Sequence, residues 1–330
     1  LTAYVIVENR EKTIKIKKSE LTFEALLRQS YICLELQDFQ KMKNENLRLE
    51  MVDMKDDIIE SDETVKREFK NDKPTFKVTL RPIEIGKTKI ISNALVVMIG
   101  ISKYIDNKKW PNLKNVKDID MINFKQLFKQ ELNYKFVCNE ESTMNKEDVH
   151  EFLADVIAKQ KLHKNKRKYD ALIIILSGHG NEGDVLVTSE GDSIPIDEIR
   201  TSFDCNRMKS LKDCPKIFII DVCRGNYSPQ SENSVLTRGE NGPQQNNTHN
   251  GSEFLMIWST TKGYQVSDLA LLSTSMRHTI GSKYKSNYSL NQMLKEVRAD
   301  IQKKNGGSWY CVQSEDTTTY DIRFQPRKLV

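Results

Sequence analysis

His179 and Cys223 are the residues whose types and surroundings best suit catalysis. His179 lies in the segment SGHG (177–180) and Cys223 in the segment DVCRG (221–225), and each segment directly follows an aliphatic run. A cysteine attacks as its thiolate, and a neighbouring imidazole can take the thiol proton and later pass it to a leaving amine. We therefore predict that Cys223 is a nucleophile and that His179 is its general base and acid. Because glycine lets the backbone approach a substrate closely, we expect the amides of Gly180 and Cys223 to bind the developing oxyanion.

The strands that precede His179 and Cys223 explain why the two residues together are stronger evidence for a catalytic site than either residue alone. A lone cysteine is usually a small core residue, and a lone histidine is usually a satisfied surface or core residue. Here the runs 94–100, 171–176 and 216–220 are apolar apart from Lys216 and alternate with helical patterns. That order predicts a mainly parallel sheet with both faces covered. Ligands collect at the carboxyl ends of such strands, where His179 and Cys223 would meet.

Several segments together resemble one protein family. The segments SGHG (177–180), IPIDEI (194–199) and FIIDVCRG (218–225) resemble the large-subunit core of caspases and of their paracaspase and metacaspase relatives. The segments FLM (254–256) and STTKGY (259–264) are similar to the caspase small subunit. The resemblance covers roughly residues 90–324. It implies an α/β caspase fold, with a mainly parallel six-stranded sheet and helices on both faces. It also implies a large-subunit region at 90–225, an intersubunit linker at 226–253 and a small-subunit region at 254–330.

The expected substrate pocket differs from the caspase pattern. Caspases cut after aspartate and hold its carboxylate with arginines and a glutamine. This sequence has Asp221 where caspases carry that glutamine, and it reads QVSD, ending in Asp268, where they supply an arginine. The best match at the start of the first helix adds Asp120, while Lys114 falls near the position of another caspase arginine. Carboxylates attract cations, and arginine pairs with them through two hydrogen bonds. The resemblance to paracaspases therefore implies cleavage of protein or peptide substrates after Arg or Lys.

Two alternatives to this function remain open. One is an aspartate-specific caspase, and the other is a catalytically silent caspase-fold scaffold. Retention of His179 and Cys223 with their flanking glycines argues against the scaffold, which needs neither residue.

The predicted linker is rich in Asn, Gln, Ser and Gly and contains few aliphatic residues. Such a composition buries too little apolar surface to offset its ordering entropy, so we predict a flexible loop. Its arginine, Arg238, is a candidate site of self-cleavage, and an ordinary loop arginine is an equally good interpretation.

The first 85 residues have a different rhythm, with the order β-β-α-β-β. This pattern resembles a ubiquitin-like or PB1-like β-grasp module of the α+β class, which would bind a protein partner. The alternative is that these strands extend the catalytic domain.

Composition excludes several classes of protein. The chain has 51 Lys and Arg against 46 Asp and Glu, a net charge of +5 without a basic stripe, so we expect no nucleic-acid partner. No apolar run is long enough to cross a membrane, so we expect no membrane partner. Six scattered cysteines favour reduced thiols in the cytoplasm rather than a disulfide framework or a zinc site.

Cofactors and assembly follow from the resemblance. We expect no cofactor and no metal. Metacaspases commonly need calcium, but the candidate ligands Glu190, Asp192, Asp197 and Glu198 lack the paired aspartates that would support such a site. The family also implies a homodimer, which we expect to form through an unpaired strand at 319–324.

Overall fold

A computed structural model of the protein describes residues 1–45, 47–83, 87–165, 168–204, 208–226 and 253–328. The chain divides into two compact units. Unit 1 comprises Leu1–Ile85 with Ser286–Tyr288, and unit 2 comprises Gly86–Lys285 with Ser289–Val330. Most of the predicted linker, including Arg238, lies outside the described residues, as does Cys205.

Unit 1 is built on a mixed four-stranded sheet with the order β2-β1-β4-β3. Alternate residues of β1 are buried, as expected for a strand with one face on a core. The Thr22 hydroxyl caps the first helix by accepting from the amide of Ala25 at 3.2 Å. The elements in chain order are β1 (Thr2–Val7), β2 (Arg10–Lys15), α1 (Phe23–Ile32), α2 (Leu36–Glu45), β3 (Leu47–Val52), α3 (Asp62–Glu68) and β4 (Thr75–Pro82).

Helices α2 and α3 are absent from the pattern predicted for this region. Helix α2 is strongly polar, and its buried residue is Asp38, which accepts two hydrogen bonds from the guanidinium of Arg10 at 2.6 and 2.8 Å. Helix α3 is short and buries Val65. The apolar residues Leu36 and Phe39 of α2 are exposed, and α3 spans seven residues, so neither helix is marked by a long apolar stripe that faces a core.

Unit 2 contains a six-stranded sheet with the order β14-β13-β12-β8-β6-β7. All described neighbours in this sheet are parallel except β13 and β14. The predicted mainly parallel six-stranded sheet is therefore confirmed. The strands in chain order are β5 (Thr88–Ile91), β6 (Ala94–Gly100), β7 (Lys135–Cys138), β8 (Ala171–Ser177), β9 (Gly180–Asn181), β10 (Val185–Val187), β11 (Ser193–Pro195), β12 (Lys216–Asp221), β13 (Phe254–Trp258), β14 (Gln313–Asp316) and β15 (Asp321–Phe324).

Helices cover this sheet on both faces. Alternate strand residues such as Val97 and Ile174 share one apolar cluster with Val149 and Leu153 of the helix at Lys146–Lys159. The intervening strand residues face the opposite side because side chains alternate along a strand. The helices in chain order are α4 (Met121–Phe124), flanked by helical turns at Val116–Asp120 and Lys125–Glu131, then α5 (Lys146–Lys159), α6 (Ile196–Thr201), α7 (Leu271–Lys283) and α8 (Leu290–Gln302).

Helix α7 was not predicted from the sequence. Its buried positions include Ser273, Ser275 and Thr279, so its inner face does not read as apolar. Buried hydroxyls obscured the periodicity that marks α5 and α8.

The prediction of an unpaired strand at 319–324 is wrong in part, because β15 belongs to a separate two-stranded sheet with β5. Strand β15 pairs in parallel with β5, with Ile322 opposite Lys89. The edge strand next to β13 is instead β14, which runs antiparallel to it. Pairing with β5 occupies one edge of β15, and only the tertiary structure brings these distant segments together.

Candidate active site

The register of three parallel strands brings the two predicted catalytic residues to one place. Gly100 of β6 and Asp221 of β12 both stand opposite Ser177 of β8. His179 and Cys223 each lie two residues beyond a member of the pair Ser177–Asp221. Both side chains are half-buried and line one cleft of about 290 Å³ at the carboxyl edge of the sheet.

Gly180 allows the two loops to approach closely. A Cβ atom at this position would lie 2.2 Å from the carbonyl oxygen of Cys223 and 2.8 Å from Cβ of Val222. No other residue type fits there without displacing backbone. The close approach places the backbone of Gly180 beside the cysteine, where its amide favours the ionised sulfur.

The thiol of Cys223 is held by the loop that follows β13. Its Sγ donates to the carbonyl of Val266 at 3.5 Å and lies 3.4 Å from the amide of Val266. Burial raises the pKa of the Cys223 thiol, and the charge of Asp221 raises it further. The amides of Val266, Cys223 and Gly180 lower this pKa, because each stabilises the thiolate. The net direction is upward, so the resting group is a thiol.

The imidazole of His179 is held by a loop that we call the histidine cradle, residues 101–113. The Nε2 atom of His179 lies 2.7 Å from the carbonyl oxygen of Pro111 and therefore donates to it as N–H. The ring contacts those of Tyr104 and Trp110, with centroids 4.6 and 5.4 Å away. The bond to Pro111 selects the tautomer in which Nδ1 is the unprotonated base.

Burial also decides the charge of the imidazole. It lowers the pKa of His179, while the carbonyl of Pro111 and the carboxylate of Asp268 oppose that shift. At neutral pH the pair is accordingly an uncharged thiol and an uncharged imidazole. Such a pair transfers its proton as the thiol attacks, with the imidazole as base.

Three carboxylates of the described chain line the same cleft, and they are the predicted Asp120, Asp221 and Asp268. Asp120 is 2% exposed and accepts hydrogen bonds from the hydroxyls of Ser177 at 3.0 Å and Ser273 at 2.6 Å. Burial raises the pKa of Asp120 to about 6, although both serine hydroxyls favour the ionised form.

Asp221 and Asp268 complete the acidic wall. Burial, and then the charge of Asp120, raise the pKa of Asp221 well above its ordinary value. Asp268 accepts from the amide of Asn115 at 3.3 Å, and burial raises its pKa as well. The charge of Asp268 raises the pKa of both Asp120 and Asp221, so the three carboxylates repel one another across the cleft.

The side chains of three further charged residues near the cleft are not part of this wall, although the backbone amide of Lys114 stabilises the ionised form of Asp268. The side chains of Lys114 and Asp118 are exposed and are not part of the cleft lining. Lys109 lies at the rim, where its ammonium group stands 5.7 Å from the ring centre of Trp110.

Arg224 ties the two catalytic loops together. Its guanidinium is 4% exposed, and Nε and Nη2 donate to the two carboxylate oxygens of Asp184 at 2.8 and 3.0 Å. Its Nη1 donates to Gln313 at 3.0 Å, and its Cζ lies 3.9 Å from the ring centre of Trp258. Asp184 follows the turn that carries His179, so this ion pair joins the histidine and cysteine segments.

Sequence reasoning missed the histidine cradle, Asp184 and Ser273. The cradle follows the carboxyl end of β6, and that position in a parallel sheet was a usable signal. Asp184 and Ser273 carry no such signal, because ordinary turns and helices contain the same residue types.

Metal ligands do not converge in the described part of the chain, where no group of three His, Cys, Asp or Glu side chains has suitable spacing. Of the calcium candidates, Asp197 pairs with Arg200 at 2.6 Å and Glu198 lies 3.2 Å from His150. Among the helices the structure describes, none is both long and apolar enough to cross a membrane.

Comparison with known proteins identifies the family. The family model of the Caspase domain (Peptidase C14) matches residues 93–320. Caspase-7 of Gallus gallus is 25% identical over 201 residues, which are 58% of this chain and 57% of the relative. Caspase-8 of Rattus norvegicus is 31% identical over 121 residues, 35% of this chain and 23% of the relative. The chain thus spans less than two thirds of the length of these relatives.

A solved structure shows the fold. Caspase-1 of Spodoptera frugiperda aligns with 76% of this chain and 99% of its own, with a TM-score of 0.56 and 13% sequence identity. The predicted caspase fold is confirmed. The domain match extends over most of the chain, and the chain therefore belongs to the caspase family of cysteine peptidases.

Proposed function

We propose that this protein is a cysteine endopeptidase that cleaves peptide bonds after arginine or lysine, with Cys223 as nucleophile and His179 as general base and acid. The observation that carries the proposal is the presence of Asp120, Asp221 and Asp268 in the cleft that also contains His179 and Cys223.

The reaction follows from the resting protonation of the pair. As Sγ of Cys223 attacks the scissile carbonyl, Nδ1 of His179 takes the thiol proton. The amides of Gly180 and Cys223 bind the oxyanion of the tetrahedral intermediate. His179 then passes its proton to the leaving amine, and a thioester remains on Cys223. Water attacks the thioester with His179 as base, which releases the acid product and restores the thiol.

Charge argues for a basic side chain before the cut bond. Burial, and then repulsion between neighbouring carboxylates, raises the pKa values of Asp120 and Asp221, and a bound cation would favour their ionised forms. An arginine adds hydrogen bonds of fixed geometry, whereas a lysine adds a single mobile charge. An aspartate side chain would instead bring a further negative charge into the same space.

The test is hydrolysis of matched fluorogenic peptides that differ only in ending with Arg, Lys or Asp. We expect turnover of the arginyl and lysyl peptides, and loss of that turnover in Cys223→Ala. Asp221→Asn should raise KM for the arginyl peptide about tenfold or more, since one buried charge contact is worth at least one hydrogen bond. Asp118→Asn is the matched control, because Asp118 is exposed and lies outside the cleft.

The two alternatives predict different outcomes. Faster hydrolysis of the aspartyl peptide would retain a caspase-like peptidase and contradict the acidic pocket. Absence of turnover with all three peptides, in calcium and in a dimerising salt, would favour the silent scaffold.

Processing and assembly belong to the same proposal. We propose self-cleavage after Arg238, which rests on the composition of residues 227–252 and on the preference for arginine. An intact linker in fully active protein, measured by mass spectrometry, would contradict a requirement for cleavage. We also propose a homodimer that forms at the edge strand β14, and a protein partner for unit 1.

A further inference from the structure

The histidine cradle contains a tyrosine whose hydroxyl both donates and accepts a hydrogen bond. The hydroxyl of Tyr104 donates to the carbonyl of Ile101 at 3.1 Å and accepts from the amide of His179 at 2.8 Å. Tyr104 is 5% exposed, and its ring stands 4.6 Å from the imidazole, centre to centre. One side chain therefore contacts both the backbone and the ring of His179.

The surrounding residues are shaped to receive this hydroxyl. A Cβ atom on Gly178 would lie 3.0 Å from the Tyr104 oxygen and 3.2 Å from the carbonyl oxygen of Ile101. Because residue 178 is glycine, there is space for the Tyr104 hydroxyl to bridge the end of β6 and the turn that carries His179. The amide of Tyr104 is in turn held by the side chain of Asn112 at 2.9 Å.

We propose that Tyr104 is a positioning residue that holds the turn and the imidazole of His179 in the geometry required for proton transfer from Cys223. The hydroxyl holds the backbone at His179, and Pro111 holds Nε2 at the far side of the ring. These two anchors fix the direction of Nδ1. Proton transfer is sensitive to this direction, because a general base must lie within hydrogen-bond reach of the proton it takes. The inference rests on the proposed catalytic pair, but Tyr104 itself need not touch the substrate.

Tyr104→Phe tests the proposal, since it keeps the ring and removes the bridging oxygen. Tyr134→Phe is the matched control. Tyr134 is 2% exposed, and its hydroxyl donates to the carbonyls of Ile91 and Gln325, at 2.7 and 2.8 Å. It lies outside the cleft lining, so the same chemical deletion there should affect stability alone.

Two readouts separate positioning from a structural role. For the arginyl peptide, Tyr104→Phe should lower kcat about tenfold with KM unchanged within a factor of two, as expected for one lost hydrogen bond that aligns the base. Alkylation of Cys223 by iodoacetamide, resolved by mass spectrometry from that of Cys138 and Cys311, should slow toward the rate of His179→Ala. Tyr134→Phe should change neither kcat nor the alkylation rate.

Alkylation needs no peptide, so it tests the inference even if the protein cleaves none of the peptides. Alkylation of Tyr104→Phe at the wild-type rate, in protein that melts no lower than Tyr134→Phe, would overturn the positioning role. A rise in KM at constant kcat would also overturn it, because that result indicates a contact with substrate.

Discussion

At the scale of single residues, the acidic wall carries a stability cost that accompanies its proposed role in substrate binding. Asp120 is almost completely buried, and its pKa is raised to about 6 in the folded protein because burial disfavours its charge. A carboxyl group whose pKa is raised on folding binds more protons when folded than when unfolded. Its cost is therefore absent below the unfolded pKa near 4, grows as the pH rises, and is complete above pH 6.

We expect Asp120→Asn to stabilise the protein at pH 7 by roughly 1–3 kcal/mol, because it removes this buried charge and keeps a side chain of similar shape. The gain should shrink as the pH falls from 6 to 4. Urea unfolding at a series of pH values measures it. An equal effect of Asp118→Asn, whose carboxylate is exposed, would argue against burial as the cause.

Substrate binding should depend on the same titration. As the pH falls through about 6, Asp120 takes up a proton and the cleft becomes less negative. We expect KM for the arginyl peptide to rise between pH 7 and pH 5, and this rise to be weaker in Asp120→Asn. Protonation of His179 should lower kcat at acid pH. This loss should begin below the ordinary pKa of histidine, because burial lowers the pKa of the imidazole. Steady-state kinetics across this range separate the two effects, and a KM independent of pH would contradict the role of Asp120.

At the scale of elements, the ion pair of Arg224 and Asp184 holds the histidine and cysteine segments against each other. Arg224 is buried and Asp184 is 27% exposed, so removal of the carboxylate leaves a partly solvated charge uncompensated and costs roughly 1–3 kcal/mol, less than for a fully buried pair. We expect Asp184→Asn to lower the free energy of unfolding by this order and to lower kcat. Asp197→Asn is the control, since Asp197 pairs with Arg200 at an exposed site and should cost under about 1 kcal/mol. Chemical unfolding of both variants measures the difference. Similar losses in the free energy of unfolding would show that the ion pair of Arg224 stabilises the protein no more than an exposed pair does.

The contact between the two loops depends on glycine at 180. In Gly180→Ala the new methyl group would meet backbone of Cys223 at 2.2 Å, so the loops must separate. We expect peptidase activity to fall by about a hundredfold or more, as when an oxyanion donor is lost. In Gly281→Ala the new methyl group meets the end of the flexible Glu131 side chain, at 2.9 Å, and activity should be retained. Peptide hydrolysis compares the two variants, and an active Gly180→Ala protein would contradict the close approach of the loops.

At the scale of the whole molecule, β14 and β7 are the two edge strands of the six-stranded sheet, and β14 is where we propose that a second copy pairs. The amide of Thr317 donates to the carbonyl of Phe254, and alternate residues of an antiparallel strand face the same neighbour. The amide of Ser314 therefore faces away from β13. Unpaired amides at a sheet edge are a template for another strand.

We expect Ser314→Pro to weaken the proposed dimer, because proline removes the outward amide and leaves the ladder to β13 in place. Ser314→Ala is the control, since it keeps this amide and loses only the contact of the hydroxyl with Arg298 at 2.7 Å. Sedimentation velocity over a concentration series measures the dimer fraction. Full activity of a purely monomeric wild-type protein would contradict a functional dimer.

Much of unit 2 was predictable because a strand that is buried on both faces appears in the sequence as a continuous apolar run. Continuous aliphatic runs marked β6, β8 and β12, and the residues that follow them in the chain led to His179 and Cys223. The order of these runs was sufficient to predict a parallel sheet, since parallel strands require intervening crossovers. The caspase motifs then led to the acidic residues that the fold brings into one cleft.

Local pattern was insufficient wherever a contact joins segments that are distant in sequence. Helix α7 buries hydroxyls that serve Asp120, so its inner face resembles a surface in the sequence. The pairing of β15 with β5, the ion pair of Arg224 with Asp184 and the bridge from Tyr104 to His179 each depend on such a contact. By itself the sequence determined the class of sheet and predicted the residues of the proposed catalytic pair and acidic wall, because these predictions depend on residue types at strand ends. Only the tertiary structure decided which polar side chains hold that pair in place, because hydrogen-bond partners depend on distances that periodicity does not encode.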